Sequence, residues 1–150
     1  MTEDQVIDSL LRYLPSRGHE ILGFAKGNKP GWDIATLYRG ALFAIEAKGI
    51  SSFVPPHKRV ARSELIWDSG FARLVQIASG RKHVYRVEPD GRRVRTERRE
   101  PAYVCLAVPD TGAFRSQFEW FRQHMETCGF GAWFVKQSCV NPVLMPRRIR

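Results

Sequence analysis

Residues 33–48, DIATLYRGALFAIEAK, are apolar along most of their length and carry an Arg-Gly pair at the centre. Arg39-Gly40 reads as a two-residue turn between two strands. With that turn Tyr38 faces Ala41, and Asp33 falls opposite Glu46. Side chains alternate along a strand. One face of the hairpin is therefore Ala35, Leu37, Leu42 and Ala44, and the other is Ile34, Thr36, Tyr38, Phe43 and Ile45. Both faces are apolar, so both must be covered, and the chain must build layers on either side of a sheet.

The rest of the chain supplies those layers. TEDQVIDSLLRYLP (2–15) reads as an opening helix, with Thr2 and Gln5 at capping-box spacing and Val6, Ile7, Leu10, Leu11 and Leu14 on one stripe. HEILGFAKG reads as a strand and NKPG as a turn. ISSFVPPHKR reads as a loop, and ARSELIWDSGFARLVQIASG as a helix with a possible break at Asp68-Ser69-Gly70. HVYRVEPDGRRVRTE has the pattern of a polar hairpin around Pro89-Asp90-Gly91. AYVCLAVP is a continuous apolar run, as in a central strand. GAFRSQFEWFRQHMETCG is an amphipathic helix closed by Gly129, and FGAWFV is a last strand. The order predicts an α/β domain over residues 1–140, a mixed sheet flanked by helices, with residues 141–150 as a basic tail, mobile at its end.

Composition narrows the function classes. Twenty-four Lys and Arg against fifteen Asp and Glu give a net charge of +9. That balance favours a polyanionic partner, nucleic acid above all. No apolar run is long enough for a membrane span. The N-terminus is acidic and amphipathic rather than signal-like. Cys105, Cys128 and Cys139 lack CxxC spacing, as reduced thiols in a cytoplasmic protein do. The four histidines show no zinc-ligand spacing, and neither a GxSxG motif nor a P-loop is present.

Two carboxylates at the open end of a covered hairpin repel each other. A shared proton relieves that repulsion, and so does a divalent cation. Asp and Glu oxygens suit Mg²⁺, which keeps several waters and takes few carboxylate ligands. Lys48 points to the same face as Glu46, where it could orient a water or stabilise charge on a phosphoryl group. The plain alternative is a solvated, charged strand end, and a one-residue slip of register would move Asp33 to the other face.

GWDI (31–34) followed by EAK (46–48) resembles the motif of the PD-(D/E)xK nuclease superfamily, which includes restriction endonucleases and archaeal-type Holliday junction resolvases. The resemblance spans roughly residues 3 to 110, and Gly31-Trp32 stands where the family name has Pro. It implies a restriction endonuclease-like mixed β-sheet flanked by helices. The basic β-hairpin is then an insertion, and the final helix and strand are a C-terminal extension. It also implies a Mg²⁺-dependent endonuclease, with Mn²⁺ as a substitute, acting on nucleic acid and most simply on DNA. Asp33 and Glu46 match the metal-binding acids, the Ala47 carbonyl a further ligand, and Lys48 the catalytic lysine. Glu3 is the best match for an acid from the first helix, with Asp4 and Glu20 as competitors. Gln76 could supply a polar group from the second helix or simply face solvent. Trp32 could line the cleft or merely pack beside it.

Contacts to nucleic acid are expected from His57, Lys58 and Arg59, just after the second strand of the apolar hairpin. They are also expected from Arg86, Arg92, Arg93 and Arg95 in the inserted hairpin. Each run could equally be solvated charge. Two other readings stay open. One is a resolvase-type nuclease, which would work as a homodimer. The other is a non-catalytic nucleic-acid-binding or assembly module that keeps the fold.

Overall fold

The computed structural model describes every residue except 28–30, 51–61, 82, 88–89 and 91–92, and describes 62–64, 83–87 and 93–98 by backbone alone. The expected turn at Asn28–Pro30, the loop bearing His57, Lys58 and Arg59, and Arg92 therefore lie outside the described residues. Arg86, Arg93 and Arg95 are described as strand positions only.

Helix α1 (Glu3–Tyr13) opens with the expected capping box: Gln5 N–H donates to Thr2 Oγ1 at 3.2 Å, and Thr2 N–H donates to Gln5 Oε1 at 2.8 Å. Such a cap contributes about 1 kcal/mol. Pro15 lacks the donor needed to continue the helix, and the chain passes through a 3₁₀ turn (Leu14–Arg17) to Gly18, at φ 82°. Strands β1 (His19–Phe24), β2 (Ile34–Tyr38) and β3 (Ala41–Ala47) form an antiparallel meander. The turn between β2 and β3 has Arg39 at φ 51° and Gly40 at φ 74°. Both are positive, as in the tight turn that matches strand twist. It sets the register Tyr38 to Ala41 through Ile34 to Ile45.

Helix α2 (Arg62–Ala78) follows, then β4 (His83–Val87) and β5 (Arg93–Arg98), then β6 (Tyr103–Pro109), helix α3 (Gly112–Cys128), β7 (Gly131–Lys136) and β8 (Cys139–Leu144). Six strands make one mixed sheet in the order β1-β2-β3-β6-β7-β8, while β4 and β5 pair separately. The steps from β3 to β6 and from β6 to β7 are parallel crossovers in the same direction. Crossovers of one hand put both connecting helices on one face. Accordingly α2 and α3 cover one side, where Trp67, Leu74, Phe114 and Phe118 meet Ala44, Leu106 and Phe134. Helix α1 covers the other, where Val6, Ile7 and Leu10 meet Ile34, Phe43, Ile45 and Trp133.

Two expectations need correction. Helix α2 is continuous through Asp68-Ser69-Gly70. Gly70 faces the sheet: a Cβ there would lie 2.8 Å from a Leu106 methyl, so the glycine lets the helix approach β6. Nor are residues 141–150 simply a tail beyond the domain. Asn141–Leu144 belong to β8, paired antiparallel to β7 with Val135 opposite Val140. Val143, Leu144 and Ile149 pack on the core. Arg147 N–H donates to Gly129 O and Ile149 N–H to Ala102 O, both at 2.9 Å. The alternating apolar positions bind this segment to the domain despite its basic end.

Among the described residues, no helix is long and apolar enough to cross a membrane. All three cysteines are free, with Cys105 buried and Cys128 and Cys139 exposed.

Candidate active site

Asp33 immediately precedes β2, and Glu46 is the penultimate residue of β3, next to the Ile34–Ile45 pair. The predicted register thus brings the two carboxylates to the same end of the meander, on the face covered by α2. Asp33 is 4% exposed and Glu46 is fully buried. Asp33 is anchored at both ends. Its carbonyl accepts from Ala25 N–H at 2.8 Å, and its Oδ2 accepts from Ala47 N–H at 2.7 Å. In an extended strand the N–H and C=O of one residue point to the same edge. The Ala47 carbonyl therefore also faces the Asp33 side, beyond the end of β2.

Lys48 continues β3 along β6, its N–H donating to Ala107 O at 2.9 Å. Its Nζ lies 2.8 Å from Glu46 Oε1 and 4.0 Å from Glu3 Oε2. Helix α1 reaches this point because Gly49 has no side chain. A Cβ on Gly49 would lie 2.2 Å from the Glu3 nitrogen and 2.4 Å from the Thr2 carbonyl carbon. Ile50 N–H also donates to Met1 O at 3.0 Å, tying the helix start to the end of β3.

Arg73 of α2 adds a second cation, its Nε 3.3 Å from Glu46 Oε1. Gln76 was one candidate from this helix, with a solvent-facing side chain as the alternative; Arg73 makes the contact. It lies three residues beyond Gly70 and four before Ile77, on the side of α2 that faces the sheet. An arginine within an otherwise apolar helical stripe was the available signal. These contacts neutralise Glu46: the Lys48 ammonium lies within hydrogen-bond distance of Oε1, while Oε2 and Arg73 Nε have no well-formed hydrogen bond among the described residues.

The electrostatics follow from burial. Asp33 is pushed well above its ordinary value of 3.8, first by desolvation and then by repulsion from Glu46; the Ala47 N–H and Lys48 oppose the shift only in part. Burial alone would drive Lys48 down, but Glu46, Asp33 and Glu3 together raise it, so the ammonium stays charged.

Of the other candidates, Glu3 joins through Lys48. Asp4 instead accepts from Gly27 N–H at 3.1 Å, and Glu20 is exposed on β1 opposite Leu37. Trp32 is 1% exposed and packs in the core on the α2 side, so it is not a cleft wall.

Among the described residues, no three His, Cys, Asp or Glu side chains converge as a metal cage. The fit to a cation rests on the donors present: two buried carboxylates, one with an oxygen that has no hydrogen bond among the described residues, and a backbone carbonyl facing the same gap. That donor set suits a hard ion that keeps part of its water shell, as Mg²⁺ does. No protein-family model, curated protein or solved structure matches the chain.

Proposed function

We propose that this chain is a metal-dependent nuclease with a restriction endonuclease-like fold, hydrolysing phosphodiester bonds and acting on DNA. One observation carries the reading. Two carboxylates are buried side by side at the open end of a hairpin, with a charged lysine against one of them. A fold that needed only stability would replace such a cluster with apolar side chains. The αβββ entry, the parallel step from β3 to β6 and the net charge of +9 agree with the reading.

Asp33, Glu46 and the Ala47 carbonyl would hold Mg²⁺ or Mn²⁺. Bound there, the ion supplies an acidified water and a counter-charge for the phosphoryl group. Lys48 is held by Glu46 and kept protonated, so its ammonium can orient the attacking water or donate to a phosphoryl oxygen as charge builds. Glu3 adds a longer contact to the same ammonium, at 4.0 Å.

The test is cleavage of supercoiled plasmid, linear duplex, single-stranded and four-way-junction DNA, and RNA, with Mg²⁺, with Mn²⁺ and with EDTA. The reading predicts cutting that needs the metal. Preference for the junction by a dimer would identify a resolvase-type enzyme. Salt-sensitive binding without cutting of any substrate would overturn the nuclease reading in favour of a binding module.

A further inference from the structure

Arg73 has no place in the motif that suggested a nuclease, yet it touches the most buried acid of the site. Its contact is poorly built for a permanent ion pair. The guanidinium approaches Glu46 through Nε at 3.3 Å, and that buried Nε has no well-formed hydrogen bond. A structural arginine usually engages a carboxylate with two parallel bonds. The side chain is also 30% exposed, whereas that of Glu46 is 1% exposed. It therefore runs from the buried carboxylate toward solvent.

Charge balance says what such an arginine is for. Among the described residues of the site, the three acids Asp33, Glu46 and Glu3 outnumber the two cations Lys48 and Arg73 by one. A divalent ion reverses this to one net positive charge, and one phosphodiester group neutralises it. With an ion on Glu46, the Arg73 guanidinium faces a like charge across the same oxygen. A phosphate oxygen, approaching from solvent, is the better partner.

We propose that Arg73 is an exchangeable counter-ion. It holds Glu46 in the metal-free protein, gives it up when a divalent cation binds, and then binds the substrate phosphodiester. This rests on the nuclease reading above and assigns a substrate-binding residue to it. The arginine competes with the metal and assists the substrate, so its removal should push the two functions in opposite directions.

The experiment compares wild type, Arg73→Ala and Arg73→Lys by calorimetric titration with Mn²⁺ and by single-turnover cleavage of supercoiled plasmid. Arg73→Ala should bind Mn²⁺ more tightly, by about tenfold. Its cleavage rate at sub-saturating DNA should fall by about 10–100-fold, the loss of a charge-assisted phosphate contact. Arg73→Lys should lie between on both scales. If Arg73→Ala does not fold, Arg73→Gln carries the same expectations. Equal or weaker Mn²⁺ binding in the variant overturns the proposal and leaves the nuclease reading intact, because the arginine then only supports the site. Absence of Mn²⁺ binding in the wild type removes both.

Discussion

The β1-β2-β3 meander buries titratable groups at both ends and treats them in opposite ways. At the turn end, on the α1 face, His19 is 7% exposed. Its Nδ1 lies 2.9 Å from Thr36 Oγ1, and its ring stacks on Tyr38 at 4.5 Å and meets Phe43 edge-on at 4.9 Å. Burial lowers its pKa to about 4, so at neutral pH it is an uncharged ring with a partner. At the open end, on the α2 face, Asp33 and Glu46 are buried as acids beside each other, with Glu46 balanced by Lys48 and by an Arg73 contact that is not a well-formed hydrogen bond. The first arrangement is what packing requires of a polar residue. The second costs stability, and the proposed function accounts for that cost by a ligand that completes it.

The sharpest way to break this comparison is to remove charge at the open end. Glu46→Ala should reduce Mg²⁺-dependent plasmid cleavage by about a thousandfold, and Lys48→Ala by about a hundredfold or more. Circular dichroism should show both variants folded. A variant that keeps most of its activity would mean the site has been assigned to the wrong residues.

The two ends should also respond oppositely to pH. His19 binds a proton more readily in the unfolded chain. Its stabilisation is complete above pH 6.5 and is lost as pH falls toward 4, by up to about 3 kcal/mol. Asp33 binds its proton more readily in the folded chain. Its contribution to the metal-free protein is best below its ordinary value of 3.8 and declines as pH rises past it. Urea midpoints between pH 4 and 8 for wild type and His19→Gln should converge at the acidic end. A constant gap would show that His19 is not the titrating group.

A smaller effect is expected from Gly49→Ala. The added methyl meets the α1 backbone, which must back away, at a cost of about 2 kcal/mol. Cleavage should fall as Glu3 withdraws from Lys48. An unchanged denaturation midpoint would mean the helix start has slack. The smallest effect lies at the turn. Arg39→Asn relieves a left-handed backbone position and should stabilise by about 0.5–1 kcal/mol without changing cleavage.

What the sequence made legible was local. The Arg-Gly turn fixed the register, and the register alone brought Asp33 and Glu46 together. The Thr2 and Gln5 spacing likewise specified its cap. What it hid depended on tertiary packing. Arg73 reaches Glu46 only because Gly70 lets α2 settle close to β6, and no helical periodicity states that distance. Asn141 and Pro142 disguised β8 as a tail, since a proline is tolerated on an edge strand but argues against a central one. Nothing in the sequence marks Gly49, because the contact that requires a glycine there is with a helix start more than forty residues earlier.

The central claim is that the carboxylate pair is kept at a stability cost for the sake of a cation. Thermal unfolding of Asp33→Asn tests it without any substrate, since asparagine can still accept from Ala47 N–H. At pH 8 in EDTA the variant should melt above wild type, by on the order of 3 °C per kcal/mol of repulsion relieved. Added Mg²⁺ or Mn²⁺ should raise the wild-type midpoint and leave the variant unmoved. A variant that melts lower in EDTA, or that responds to the metal as wild type does, would contradict the account.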